Sequence, residues 1–325
     1  MPVAELGLQQ GRAPLDIGTP WPRAAECGSC HAEQYADWQT SRHRVAHSNA
    51  IYEAGLIAEP RRFCVNCHSP LPGQVGEVLR NWAWYRSQDP RAHAPPADRR
   101  PEPLADEGIT CVTCHWRDGT VLATAVSGDA PHPSRVAPVL DSASLCKGCH
   151  EFETPAFRPD GMHFTGELMQ STWTEWRAWG GDETCQDCHM PGGAHTWRGA
   201  HDREALAASL QVRARRGNVR LRSVGVGHAH PTGDLFRNFT VEAEVDGTWR
   251  VQHRIGRRFE VRVEGGHARK TLVDDTTLKP GAWREVALPR DATGWRVRYH
   301  YGSPADENRG LIDPDVLVFT VAEGR

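Results

Sequence analysis

Apolar and polar residues alternate with period two along the last third of the chain. Residues 219–224, 239–245, 249–252, 259–263, 295–299 and 316–321 each carry that signature of a half-buried strand. Asp246-Gly247, between the second and third of these, is a residue pair that favours a tight hairpin. The pattern predicts an antiparallel β-sandwich of seven or eight strands over residues 205–325, Ig-like or fibronectin-like in its strand count. Upstream the order dissolves. Residues 169–178 read as a helix, as does the run through Tyr35, Trp38, His43 and His47, and the remainder reads as short helices and loops. The fold class expected is therefore α+β: an N-terminal arm over 1–26, a loop-rich, mainly helical domain over 27–204, then the sandwich.

Composition makes the middle domain a puzzle. Only 39% of the 325 residues are hydrophobic, and 31 Gly and 23 Pro interrupt regular structure. Aliphatic side chains alone supply a thin core for such a chain, so something else is expected to fill it.

The cysteines say what. All ten fall into five copies of one pattern, Cys27-Gly-Ser-Cys30-His31, Cys64-Val-Asn-Cys67-His68, Cys111-Val-Thr-Cys114-His115, Cys146-Lys-Gly-Cys149-His150 and Cys185-Gln-Asp-Cys188-His189. Chance placement at this composition yields about 0.015 copies of C-x-x-C-H, the signature of c-type haem attachment. Two cysteines three residues apart share one face of a helical turn, where both sulfurs reach the haem vinyl groups and the following His meets the iron. Structural zinc uses paired C-x-x-C units or one unit with two histidines, and neither accounts for an odd number of units each ending in His. A thioredoxin-type redox disulfide is normally found once, beside a βαβ pattern. The expected cofactors are thus five haem c groups. Successive motifs start 37, 47, 35 and 39 residues apart, which suits a chain that wraps one haem before it reaches the next.

Twelve further histidines are available as second iron ligands. His43 is preferred over His47, one turn away. His195 and His201 follow the fifth motif, and at least one of them is expected to ligate. His132 and His163 lie in loops between motifs. His228, in Gly-His-Ala-His-Pro-Thr-Gly, is expected to reach back from the head of the sandwich to a haem. His93 reads as solvent-exposed in a Pro- and Arg-rich loop, and His253, His267 and His300 read as structural residues of strands.

Charge adds less. Three lysines face 35 arginines, a bias that suits bidentate pairing with haem propionates and equally suits a compositional preference of the genome. A formal net charge of −3 points to no nucleic-acid partner. No run approaches the ~20 apolar residues of a membrane-spanning helix, so no membrane insertion is expected. The first ten residues lack the basic start and apolar centre of an export signal. Because this haem attachment occurs outside the cytoplasm, a periplasmic or extracellular location is expected, with the signal trimmed or the start codon placed too far downstream.

The run Tyr35-x-x-Trp38-x-x-Ser41-x-His43-x-x-Ala46, the run 169–176 leading to Cys185–Pro191, and Gly227-His228-x-x-Pro231-Thr232-Gly233 resemble multihaem cytochromes c. That group is related to the tetrahaem electron carriers of ammonia oxidation, hydroxylamine oxidoreductase and pentahaem nitrite reductase. The resemblance spans nearly the whole chain from residue 27 and implies that His43 is a distal ligand. Pentahaem nitrite reductases attach their catalytic haem through a motif ending in Lys, whereas all five motifs here end in His, which argues against nitrite reduction. The function expected first is electron transfer between bis-His haems, with redox partner proteins as donor and acceptor and no catalytic residue. The alternatives are a redox enzyme acting on a small nitrogen or sulfur compound at an open haem, and a subunit of a homo-oligomer, filament or membrane-associated complex.

Overall fold

The computed structural model describes residues 13–88, 99–158, 161–215, 217–264, 267–302, 312 and 314–325; His93 and the start of the N-terminal arm lie outside them. The chain forms two compact units, Met1–Cys149 with Asp182–Arg198, and His150–Gly181 with Gly199–Arg325. The division is not the single break near residue 204 read from the sequence. Residues 150–181 group with the C-terminal part, because they contain a long hairpin whose partners are strands.

In the first unit helices are short: α1 Ala24–Gly28, α2 Ala32–Thr40, α3 Ala50–Ala58, α4 Arg62–His68, α5 Pro72–Arg80, α6 Trp82–Ser87 and α7 Cys111–His115, joined by the small sheet β1 Trp116–Arg117, β2 Thr120–Ala123 and β3 Ser134–Val136. Helix α8, Ser144–His150, carries the fourth motif. The expected helix through His43 and His47 is a correction: α2 stops at Thr40 and residues 41–48 form turns. Ser41 is the cause, since its hydroxyl donates to Trp38 O (2.7 Å) and accepts from Arg44 N (3.2 Å), drawing the backbone out of the helical path.

Among the described residues of this unit, apolar side chains gather in small clusters that each contain or touch part of a motif: Leu56, Val75, Val78 and Tyr85 around Val65 and Cys64; Leu122, Ala137, Val139 and Leu140 beside Cys114; Leu15, Ile17 and Leu71 around Val112.

A buried polar cluster sits beside the first of them. Glu102 accepts hydrogen bonds from Asn81 (2.6 Å) and Tyr85 (3.0 Å), is bridged by Arg99 (2.6 Å), and lies 2.8 Å from His47 Nε2; the His47 and Glu102 side chains are 1% and 0% exposed. Arg99 also pairs with Glu53. Burial would raise the Glu102 pKa, but the bonds from His47, Asn81 and Arg99 outweigh it and hold the carboxyl at about 2.

The second unit opens with the hairpin β4 Glu151–Arg158 and β5 Gly161–Ser171. His163, expected in a loop, lies on β5 opposite Ala156, and the helix expected over 169–178 begins later, as α9 Thr172–Trp179. Helix α10, Cys185–His189, belongs to the first unit; α11, Arg203–Ala208, leads into the remaining strands. These are β6 Leu210–Arg215, β7 Asn218–Ser223, β8 Asn238–Val245, β9 Thr248–Glu264, β10 His267–Asp275, β11 Arg284–Ala287, β12 Gly294–His300 and β13 Val318–Gly324. They make two antiparallel sheets, in the orders β10-β9-β8-β12-β13 and β11-β7-β6. The fold is α+β, as expected.

Asp246 and Gly247 take left-handed φ values of 51° and 70°, as the β8–β9 hairpin requires. The two strands read at 249–252 and 259–263 are one: β9 pairs with β8 in its first half and with β10 from Arg257 onward. Polar residues mark that change of partner and mimic a break in the sequence. Phe239, Val241, Ala243, Ile255, Val297 and Tyr299 bury one side of the larger sheet, and Val219, Leu221 and Val286 one side of the smaller.

The Glu102 cluster makes a prediction about acid stability. A carboxyl whose pKa falls from 4.5 to about 2 on folding adds stability above pH 4.5 that disappears as pH drops toward 2. Glu102→Gln leaves His47 and Arg99 without their buried anion and should cost about 3 kcal/mol at pH 7. Denaturant titrations of both proteins should converge as pH falls from 4.5 toward 2.

Candidate haem-attachment site

Every motif sits on helical backbone. Helices α4, α7, α8 and α10 each end on the motif His, and in the first motif α1 continues through Cys30 N→Cys27 O (3.2 Å) and His31 N→Cys27 O (3.0 Å). Local chemistry sets these turns. At α10, Thr184 Oγ1 accepts from Asp187 N (3.3 Å) while the Asp187 carboxylate accepts from Thr184 N (2.6 Å), a reciprocal cap that starts the helix at Cys185. These bonds to Thr184 also lower the Asp187 pKa.

The motifs are neighbours in an order unlike that of the chain. Thiols contact each other between Cys27 and Cys111, between Cys67 and Cys149, and between Cys146 and Cys185. Cys114 in turn lies within electrostatic range of Cys146 and Cys149. The first motif therefore adjoins the third, and the fourth adjoins the second, third and fifth. Gln186 fixes one of these contacts by donating to Leu140 O and Ser142 O, both 2.8 Å, just ahead of the fourth motif. Burial pushes the Cys114 thiol up to about 11.

The histidines share a second feature. His68 donates from Nδ1 to Ala46 O (2.8 Å), His115 to Leu122 O (2.8 Å), His189 to Arg198 O (2.6 Å), His195 to Gly193 O (2.8 Å) and His228 to Ala229 O (2.8 Å); His132 Nδ1 lies 2.9 Å from Ser134 Oγ. A proton fixed on Nδ1 leaves the lone pair on Nε2, the form a metal takes up. His150 Nδ1 is 3.3 Å from the Gln170 amide nitrogen.

Two pairs of rings face each other at a telling distance. His31 and His132 have centroids 6.4 Å apart, and His115 and His195 6.1 Å apart. Imidazoles on opposite sides of one metal, each nitrogen at about 2 Å, place their centroids roughly 6 Å apart. Burial lowers the His115 pKa, which keeps the ring neutral as ligation demands. His195 is held there by its own N–H, which donates to Asp37 on α2 (2.9 Å).

His43 sits in the turn after α2, its ring edge-on to Trp197 at 4.6 Å, and Trp197 also meets His195 at 5.2 Å. This turn is pinned to the third motif: Ile109 N donates to His43 O (2.9 Å) and Trp38 Nε1 to Ile109 O (2.7 Å). Gly108 makes the approach possible, with φ of +60° and room for no Cβ, which would fall 2.3 Å from His43 O. His201 differs from the other candidates, since its Nε2 accepts from Arg237 (3.1 Å) and its ring stacks on Tyr301 at 4.6 Å. His230 is buried with Nε2 against Ser209 Oγ (3.0 Å), and burial lowers its pKa to about 3. His300 is likewise structural, bonded to Thr240 inside the larger sheet.

The residues fit a covalently held porphyrin. Among the described residues no three His, Cys, Asp or Glu side chains converge into a closed metal cage, whereas imidazoles face one another in pairs. Some of the buried polar atoms without a hydrogen-bond partner, Tyr52 Oη, Thr113 Oγ1 and Trp116 Nε1, lie at the second and third motifs, and Tyr52 stacks on His68 at 3.9 Å. Trp197, Gly108, Tyr52 and Gln186 went unnoticed in the sequence. Gly108, three residues before a motif, and Gln186, inside one, carried a local signal.

Helical C-x-x-C-H turns set among small apolar clusters and continued by antiparallel sheets give this chain a fold shared with a solved multihaem cytochrome c. The chain is similar to the solved penta-heme cytochrome c552 from Thermochromatium tepidum, with a TM-score of 0.64 and 19% identity over 93% of this chain and 97% of that one. No protein-family model matches the sequence, and no curated protein does.

Gly108→Ala should displace the His43 turn from the third motif and destabilise the protein by about 2 kcal/mol or more. Thermal unfolding of the variant checks the cost, and the same change at Gly119, whose Cβ would meet nothing within 4 Å, controls for the shared left-handed φ.

Proposed function

We propose that this chain carries five haem c groups and transfers electrons among them and to redox partner proteins outside the cytoplasm. The observation that carries the reading is the approach of His31 to His132 and of His115 to His195, with centroids 6.4 and 6.1 Å apart, a separation that would suit two imidazoles holding one iron. Haem iron would supply a one-electron couple, and a second imidazole on it would leave no open place for a substrate.

The chain's part is attachment, ligation and spacing. The ten motif cysteines hold the porphyrin edges. His31, His68, His115, His150 and His189 are the ligands from the motifs. His132 and His195 complete two of the irons, and His43, His163 and His228 are assigned to the other three. His201 is left out of the set, because an imidazole whose Nε2 accepts from a guanidinium offers its lone pair to that cation instead. The carbonyls that accept from Nδ1 raise the basicity of the opposite nitrogen and fix each ring's orientation.

The contacts between motifs supply a route. Haems held at the motifs would pass electrons along the first, third and fourth, with the second and fifth both joined at the fourth. No helix among the described residues is long and apolar enough to cross a membrane, so partners are to be met by docking.

Mass analysis of natively matured protein tests the attachment and should show five added haems. The oxidised spectrum should be uniformly low-spin and the reduced form indifferent to carbon monoxide; a high-spin fraction near one haem in five favours an enzyme. His195→Ala and His132→Ala should each convert one haem in five to a high-spin form that binds carbon monoxide, while His201→Ala should leave the spectrum unchanged.

A further inference from the structure

The outward face of the β11-β7-β6 sheet concentrates positive charge in a way that no haem role explains. Arg213 on β6 lies directly opposite Arg220 on β7, with Arg222 and Arg215 further along the same two strands. Like charges placed opposite each other across strands are destabilising. Trp283 lies between them: the guanidinium centres of Arg213, Arg220 and Arg222 are 5.3, 4.9 and 5.0 Å from its ring centroid. The reverse side of the sheet is buried through Val219, Leu221 and Val286, so these arginines belong to the open side.

Compensating acid is scarce. Arg220 is 3.5 Å from Glu285, both about half exposed, and Arg222 donates to the neutral Gln211 amide (2.7 Å). Among the described residues Arg213 and Arg215 have no carboxylate partner. The patch also runs against the protein as a whole, whose formal charge is −3 before any haem propionate is added. A cationic cluster on an anionic molecule gives an acidic partner one orientation of approach.

We propose that this face docks an extended acidic segment of a partner protein, whose carboxylates at alternate residues seat on Arg213, Arg215, Arg220 and Arg222 beside Trp283. Spacing favours this occupant. Side chains on one face of a strand repeat about every 7 Å, and an extended segment with an acid at every second residue has the same repeat. Arginine matches carboxylate in a planar, two-pronged fashion, and stacking against the indole orders the guanidiniums before the partner arrives, which lowers the entropy lost on binding.

The test uses the haem-loaded full chain and a fluorescently labelled synthetic peptide of alternating Glu and Thr, followed by anisotropy. Binding should weaken steeply with added salt and be absent for the matching Gln-Thr peptide. Arg213→Glu with Arg220→Glu should reduce affinity about tenfold or more. Arg213→Gln with Arg220→Gln should give a smaller loss together with a raised Tm, because the opposed charges are gone; this milder pair keeps the test decisive if the reversal misfolds. Equal binding of the two peptides, or unchanged affinity in both variants, overturns the proposal. Binding to phosphatidylserine vesicles without binding to the acidic peptide assigns the face to a lipid surface and overturns it as well.

Discussion

The hydrogen bond from an imidazole Nδ1 to a backbone carbonyl does two things at once in this chain. It fixes which nitrogen carries the proton, and it ties a side chain of one segment to the backbone of another. His68 reaches back 22 residues to Ala46, in the turn that also presents His43, and His115 bonds Leu122 across β1 and β2. The orientation of these imidazoles and the path of the chain are therefore set by the same contacts. An imidazole freed from its carbonyl would lose its tautomer and its direction together.

The turn over residues 41–48 shows how closely these constraints are packed. Ser41 ends the helix, Ala46 receives His68, and His43 O receives Ile109, two residues ahead of the third motif. The second and third motifs are thereby referred to one short stretch of backbone. Such a stretch tolerates little change, which is why an unremarkable glycine at position 108 matters. Among the described residues, the apolar clusters of this unit are small and seated against the motifs, so a displacement there reaches them directly.

The motifs, the α+β class, the Asp246-Gly247 hairpin and most strands after residue 218 were legible in the sequence, because each is a local pattern with a local cause. What stayed hidden was non-local. Nothing near residue 151 announces a hairpin, since its strands are held by pairing with each other and by contacts with β10. His195 and His201 look alike in the sequence, and distant residues separate them: Arg237 and Tyr301 meet His201, whereas His195 meets Asp37 and His115. The order in which motifs adjoin one another is likewise set by folding, with the fourth in contact with the second and fifth and close to the third while the chain visits them in sequence. His43 and His47 sit one helical turn apart on paper, yet a serine hydroxyl sends them to different neighbours, Trp197 and Glu102.

The two units are interleaved: the first closes only when residues 182–198 return to it, after the chain has already laid down the β4–β5 hairpin of the second. Neither half is a contiguous stretch of polypeptide, so a single cut cannot free one of them whole. A gene encoding this chain cannot shed or exchange its sheet-bearing half by simple truncation without also removing the fifth motif or stranding it. Inheritance of the two halves is thus linked by topology, and recombination is expected to preserve them as one block.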